Sequence, residues 1–499
     1  MIKSLGILGG GTSGLIAALM MRKAWPKLPI TLIESSQIGI IGVGEGSTEH
    51  WKKFIDHIGV SVPDLIRETG ATFKVGIKFT NWHGDGTSYF HSLSEQYGGF
   101  SDNNGLPFTW MRMIGENWDP LKTVWSLSQN SRHVEPLHNI LSQYHFDTFK
   151  LNEFLHKLCK DRGITVTDVV IDQVIIDQDG YIDSLNDNSG AKHTFDFYID
   201  CSGFRRVIGS KLGAKWIDRT KELPMNSAIA FPTGYTEDIP SYTEATALSS
   251  GWSWRIPTQE RYGNGYVFCD SFIDETQAYD EISRHYKELG ITDHIEVGRK
   301  VKFGAGNVDR FWIKNCVMIG LSGIFVEPLE ASSIGTTIQQ CFLMLPAVAF
   351  WERGDKKTAK IYNEHMSRIS DNIVDFIQLH YFTQRSDSKF WQWCQHDLKW
   401  TDFNRDTLEY FKSNYVNPHF FNMPLILFSH LNYAQVMHGL RLFNNDKINK
   451  VYSEHMGERY NGIIDSILAK NESPDVVSFT HREALNILKE RYATIHINL

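Results

Sequence analysis

The first 34 residues constrain the fold more than any other stretch. "SLGILGGGTSGLIAALMMRKAWPKLPITLIES" begins with an apolar run over residues 4–8, followed by Gly9, Gly11 and Gly14 in the spacing G-x-G-x-x-G. "LIAALMMRKAW" reads as a helix ended near Pro26, and "ITLIE" as a second strand closing at Glu34, 20 residues after Gly14. Each part has a physical task. Gly9 permits a tight turn, Gly11 lets the backbone approach a pyrophosphate with no Cβ between, and Gly14 lets helix pack closely on strand. The helix start, with Thr12 and Ser13, offers unpaired N–H groups and a partial positive charge to phosphates. Glu34 can accept hydrogen bonds from ribose hydroxyls. Strand, helix, spacing and acid agree on an α/β, Rossmann-type dinucleotide-binding unit. No second G-x-G-x-x-G follows, because "GAGNVD" (residues 304–309) lacks the last glycine. Enzymes that bind FAD and NAD(P)H in separate units usually carry two fingerprints, so the single N-terminal one favours FAD.

Composition narrows the class. At 499 residues, two or three packed regions are expected. Aromatic content of 13% fits well-filled cores and also a pocket for a flat ring. A net charge of −8 with no Lys/Arg run argues against a nucleic-acid partner. The six cysteines are scattered and none forms a CxxC pair. No metal site or disulfide framework is indicated, which favours a cytoplasmic, reducing compartment. Residues 4–21 carry no charge and mimic a signal peptide or membrane span, but five glycines make the stretch a poor apolar helix and the fingerprint accounts for it. No membrane association is expected.

Further along, "IGIIGVGEGSTEHW" (residues 38–51) contains Gly44 and Gly46 and suggests a second backbone segment near the cofactor. "ATFKVGIKFTNW" (residues 71–82) alternates as one strand, with Phe73, Val75, Ile77 and Phe79 on one face and Lys74, Gly76, Lys78 and Thr80 on the other. Residues 144–177 read as an amphipathic helix followed by strands. Residues 195–206 read as a buried strand entering a glycine turn, a second return to the cofactor. Residues 315–345 read as strand, loop and helix, and from about residue 350 the chain turns mostly helical and aromatic. The expected organisation is a cofactor-binding module over residues 1–350 with an interleaved substrate region, and a mainly helical, substrate-covering region over 351–499.

Four motifs in order carry a family resemblance: "GGGTSG" (residues 9–14), "GVGEGS" (42–47), "FKVGIKFTNW" (73–82) and "GWSWRIP" (251–257). The last contains W-x-W-x-I-P, filled by Trp252, Trp254, Ile256 and Pro257. "FVEPLEASSI" (325–334) and "LHYFTQRSDSKFW" (379–391) also fit. The chain resembles the flavin-dependent halogenases, the two-component enzymes typified by tryptophan halogenases, from residue 1 to about residue 395. The resemblance implies a GR2-like FAD-binding fold with Leu321 and Ile334 among the flavin contacts. It implies FADH2 from a separate flavin reductase, O2, a halide ion, and hypohalous acid that reaches an aromatic small-molecule substrate through an internal tunnel. By analogy, Trp252 and Trp254 block the approach a monooxygenase substrate would use; from composition alone they fill a core.

Lys74 takes the position of the family's essential lysine, which hydrogen-bonds hypohalous acid or becomes an N-halo adduct. An alternating strand alone would make it solvent-facing, and Lys78 is its decoy. Glu330 matches the family glutamate, which polarises the oxidant or takes the proton of the arenium intermediate. A helix N-terminal acid is the plainer reading, and Glu327 is the second choice. Two departures stand out. Ser332 and Ser333 replace the Thr-Gly pair whose N–H groups hold halide, which favours bromide or iodide over chloride. The family's His-Pro-Phe becomes His91-Ser92-Leu93, with His91 the substrate candidate. No clamp for free tryptophan is recognisable around residues 428–440, so an electron-rich indole or phenol is expected. The rivals are a flavin monooxygenase that hydroxylates an aromatic and a non-catalytic FAD-binding protein. Lys74 and the tryptophan motif weigh against the first, and retention of Lys74 with Glu330 against the second. Homo-oligomerisation stays open.

Overall fold

The computed structural model describes residues 2–39, 45–92, 131–133, 143–291, 295, 299–414, 416, 418–421, 426–455, 461–462 and 478–491. Gly44 and Leu93 lie outside the described residues. The opening stretch folds as its spacing requires: strand Leu5–Leu8, helix Thr12–Ala24, strand Ile30–Glu34. Leu5–Leu8 lies between Phe197–Asp200 and Ile30–Glu34, parallel to both. The full sheet runs Trp312–Ile313, Cys316–Met318, Phe197–Asp200, Leu5–Leu8, Ile30–Glu34, Thr165–Asp168. Its central strands Leu5–Leu8, Phe197–Asp200 and Cys316–Met318 are buried throughout because the parallel part of the sheet is covered on both faces. The helices Thr12–Ala24, Thr148–Asp161 and Ser332–Phe350 pack together beside it. The uncharged residues 4–21 are therefore a central strand, a turn and a buried helix.

A second sheet of seven strands carries the tryptophan motif. Its order is Arg299–Lys302, Ser227–Gly234, Arg261–Phe268, Gly251–Pro257, Tyr242–Leu248, Gly76–Thr80, Ser88–Ser92. Trp254 pairs with Gly265, where a Cβ would come within 2.0 Å of the indole, so only glycine admits that ring. The alternating segment 71–82 is not one strand. Thr72–Phe73 pairs with Tyr144–Phe146, whereas Gly76–Thr80 pairs with Tyr242–Leu248 and Ser88–Ser92. Lys74 and Val75 bridge the two sheets, with backbone N–H groups donating to the carbonyls of Gln143 and Ser241. Change of sheet, invisible to period-two counting, takes Lys74 out of the alternation.

After residue 350 come helices Lys357–Leu379, Lys389–His396, Asp402–Phe411, His430–Gly439, Asn445–His455 and His481–Arg491. The last of these returns to the first half of the chain. His481 Nε2 accepts from the N–H of Phe73 at 2.9 Å, its ring stacks on Phe73 at 5.1 Å, and its Nδ1 donates to the carbonyl of Ile239. Burial holds His481 neutral by lowering its pKa well below the ordinary histidine value, which suits one donor and one acceptor nitrogen. Ser332–Phe350 is the one helix among the described residues long and apolar enough to cross a bilayer, and over half of that span is buried inside the fold.

Candidate active site

A cavity of about 660 Å³ opens at the C-terminal end of the parallel sheet. Gly9, Gly11, Thr12, Ser13 and Glu34 line one part, and Leu321, Ser333 and Ile334 another. Cys201–Arg205, following strand Phe197–Asp200, supply a further wall. This is where a dinucleotide binds an open α/β sheet. The cradle fits the flavin that the motif predicts. Gly11 caps the helix without a side-chain hydrogen bond, and a Cβ on it would meet nothing within 4 Å, leaving room for phosphate beside unpaired N–H groups. Gly9 has φ +123° and packs on the Cys201 carbonyl, and Gly14 packs on the carbonyl of Gly9. Gly10, which the fingerprint leaves unspecified, also matters: a Cβ there would lie 1.8 Å from the Glu34 carboxylate. Glu34 Oε2 is 2.9 Å from His156 Nε2.

Lys74 is the surprise of the site, with 1% exposure. Its ammonium donates to the Ser47 carbonyl at 3.0 Å. Burial lowers its pKa to about 8, although Glu330 and Glu49 pull the other way. Gly46 makes room for it, since a Cβ at Gly46 would lie 3.2 Å from Lys74 Nζ and 3.4 Å from the Ala331 methyl. Lys78 by contrast is half-buried on its strand, 5.8 Å above the Tyr242 ring.

Glu330 is fully buried. His91 Nδ1 lies 3.0 and 3.1 Å from its two oxygens. His380 Nε2 lies 2.8 Å from Oε1, at ion-pair distance but outside hydrogen-bond alignment. Burial would raise the Glu330 pKa, but the two imidazoles outweigh it and hold it at about 2. Ala331, at φ 53°, is in the left-handed region that a non-glycine residue rarely adopts. The turn it makes separates Glu330, aimed at the histidines, from Ser332 at the start of the long helix. Ser332 is buried, and Ser333 faces the flavin cavity.

Glu327 is a second buried carboxyl of different character. Trp252 Nε1 donates to its Oε1 at 3.0 Å and the Tyr381 hydroxyl to the same atom at 2.5 Å. Its Oε2 has no partner among the described residues, and burial pushes its pKa up to about 7 against those two donors. Trp252 thus anchors the loop as well as filling the core. Trp254 is buried with its indole N–H unpartnered among the described residues, Ile256 is buried, and the Pro257 carbonyl accepts from Thr72 Oγ1.

Lys74 and Glu330, read from the sequence as the catalytic residues, are both buried near the loop that Trp252 anchors, whereas Gly46, read as a flavin contact, packs beside Lys74 and is not among the residues lining the flavin cavity. His91, taken from the sequence as a substrate contact, has no exposure and both ring nitrogens are engaged, the second with Asn432. His380, Tyr381, Asn432 and Ser47 went unnamed. His380 and Tyr381 sit inside the quoted motif "LHYFTQRSDSKFW", so a signal existed.

A parallel-sheet flavin cradle joined to a buried lysine–glutamate pair defines a flavin-using enzyme. Residues 4–453 match the family model described as tryptophan halogenase. Tryptophan 7-halogenase KtzQ of Kutzneria sp. (strain 744) is 29% identical over 83% of this chain and 82% of its own. Tryptophan 7-halogenase RebH of Lentzea aerocolonigenes is 28% identical over 82% and 81%. Among solved structures, the flavin-dependent halogenase Xcc4156 from Xanthomonas campestris superposes with TM-score 0.83 at 27% identity, over 97% of this chain and 98% of its own. The chain belongs to the tryptophan halogenase family and is a flavin-dependent halogenase, an oxidoreductase-type enzyme. The match runs past about residue 395, where the resemblance read from the motifs fades, into the C-terminal helices. Family membership also sets aside the non-catalytic reading.

Proposed function

We propose that the enzyme halogenates an electron-rich aromatic carbon, in an indole or phenol rather than free tryptophan, and uses bromide or iodide in preference to chloride. Bound as FADH2 from a separate reductase in the same reducing compartment, the flavin supplies with O2 the oxidising power that converts halide to hypohalous acid. The rest falls to side chains. Ser332 and Ser333 hold the halide at the start of the helix, where N–H groups are unpaired. Ser333 adds a Cβ and a hydroxyl where close backbone approach to a small ion is needed. Chloride is dehydrated at greater cost than bromide or iodide and suffers most from that loss.

The observation that carries this reading is the short step from flavin to lysine. Ser333 lines the cavity, and Ala331 and Lys74 Nζ both face Gly46, each within 3.4 Å of where its Cβ would be. Ser333 follows Glu330 by three positions, at most about 11 Å of chain. Hypohalous acid released at the cavity reaches Lys74 and Glu330 along that path. Lys74 directs the halogen to carbon, and Glu330, an anion at neutral pH, takes the proton the carbon loses. Trp252 and Trp254, buried beside the loop, keep larger molecules from the oxidant.

The test supplies the protein with a flavin reductase, NADH, O2 and each halide in turn, with indoles, phenols and tryptophan offered separately. Halogenated indole or phenol in the presence of bromide is expected. Hydroxylated product without halide would support the monooxygenase instead, and faster conversion of tryptophan would overturn the substrate assignment.

A further inference from the structure

The two imidazoles at Glu330 are not equivalent. Asn432 decides the state of His91. Its Oδ1 accepts from the Ser429 N–H at 2.7 Å, which turns its amide nitrogen toward His91 Nε2 at 3.1 Å. Nε2 therefore accepts, and His91 carries its single proton on Nδ1, aimed at Glu330. His380 is wired differently. Its Nδ1 donates to the Phe376 carbonyl one turn back at 3.0 Å. Its Nε2 is left fully buried, 2.8 Å from Glu330 Oε1 and with no aligned partner among the described residues. An unprotonated ring nitrogen at that separation from a carboxylate oxygen is repelled strongly in a poorly polarisable interior, whereas a protonated one is attracted, so Nε2 is the place for a proton.

Resting on the halogenase reading above, we propose that His380 stores a proton and exchanges it through Glu330, so that the pair serves first as acid and then as base. In the first step the aromatic π pair takes the halogen of hypohalous acid. The O–X bond breaks with its electrons on oxygen, and the stored proton joins that oxygen to release water. In the second step the ring C–H bond breaks, its electrons restore aromaticity, and the proton returns through Glu330 to His380 Nε2. Aromatic C–H and hypohalous acid thus become C–X and water, and the pair ends as it began. No bulk proton has to enter the buried site during either step.

The surroundings suit this task. Phe79, Trp82 and Phe376 pack around the His380 ring and exclude water. The ionisable groups facing the pair are His91, Lys74 and Tyr89, the last with a buried hydroxyl that the Glu330 charge helps keep protonated. His380 Nδ1 is already committed to the Phe376 carbonyl, so the nitrogen beside Glu330 is the one that can hold and release the stored proton. Because it acts through Glu330, His380 is a positioning residue.

His380→Gln tests this. Glutamine can donate a hydrogen bond to Glu330 but holds no transferable proton. Flavin binding, FADH2 oxidation and KM for the aromatic should persist, while kcat for halogenation falls about 100-fold. The variant's rate should also rise as pH falls, because its proton must now come from solvent, whereas the parent is flat between about pH 6 and 7, below the range in which Lys74 titrates. Parental kcat and pH profile in the glutamine variant would assign His380 a structural role and overturn the proposal. If the variant fails to bind flavin, 15N spectra of histidine-labelled parent protein at about pH 7.5 decide the matter. One buried imidazole protonated on both nitrogens is expected; its absence overturns the proposal. Failure of the halogenase reading itself looks different: the parent would then form no halogenated product from any halide.

Discussion

Replacing Lys74 by Met should change how stability depends on pH. The folded-state pKa of this lysine falls from 10.5 to about 8, which at about 1.4 kcal/mol per pH unit makes burial of the ammonium cost about 3 kcal/mol. The sign follows from proton binding. Between about pH 8 and 10.5 the unfolded chain holds more protons on Lys74 than the folded one, so parental stability rises with pH. The cost is fully present below pH 8 and absent above 10.5. Methionine fits a similar space and never carries the charge. It leaves the Ser47 carbonyl without its donor, a loss of about 1–3 kcal/mol that depends little on pH. The variant should therefore match or exceed the parent at pH 7 and be clearly weaker at pH 10.5, the gap moving by about 3 kcal/mol. Urea denaturation followed by tryptophan fluorescence at pH 7, 8, 9 and 10.5 measures that gap. Transfer of halogen to carbon should be lost in the same variant while FADH2 oxidation continues. A stability difference that stays constant across the pH range, or moves the other way, would refute the reasoning.

Two further tests separate cradle from scaffold and probe the halide. Gly11→Val places its side chain in open cavity, so flavin binding should be lost while stability stays within about 0.5 kcal/mol of the parent. Gly9→Val meets the Cys201 carbonyl at 2.2 Å with φ +123° and should cost about 3 kcal/mol or more by thermal or urea denaturation. With equal chloride and bromide, the parent should give mainly brominated product and Ser333→Gly should shift the ratio toward chloride; predominantly chlorinated parental product would sink the argument for Ser333.

Much of this protein was legible in its sequence because the relevant geometry is local. Strand, turn, helix and acid within residues 4–34 depend on neighbours a few positions apart, and they fold as read. The helical segments after residue 350 were visible for the same reason. The tryptophan motif was legible as a signature but not as an element, and Trp252 and Trp254 both lie on strand Gly251–Pro257.

What period and spacing could not supply was the electrostatic state of the site. Alternation alone would turn Lys74 outward, and only the family resemblance pointed to a catalytic lysine; the chain changes sheets at that point, and the residue is buried as an easily deprotonated amine. Glu330 and Glu327 stand three residues apart in one loop, yet one is held at a pKa of about 2 and the other raised to about 7. The difference is made by partners distant in sequence: His91 lies 239 residues from Glu330, and Tyr381 lies 54 from Glu327. Asn432, which sets the proton on His91, is 341 residues away from it. Such partners meet only when sheets and helices pack, and a carboxyl or an amine takes its charge from whatever packing leaves beside it.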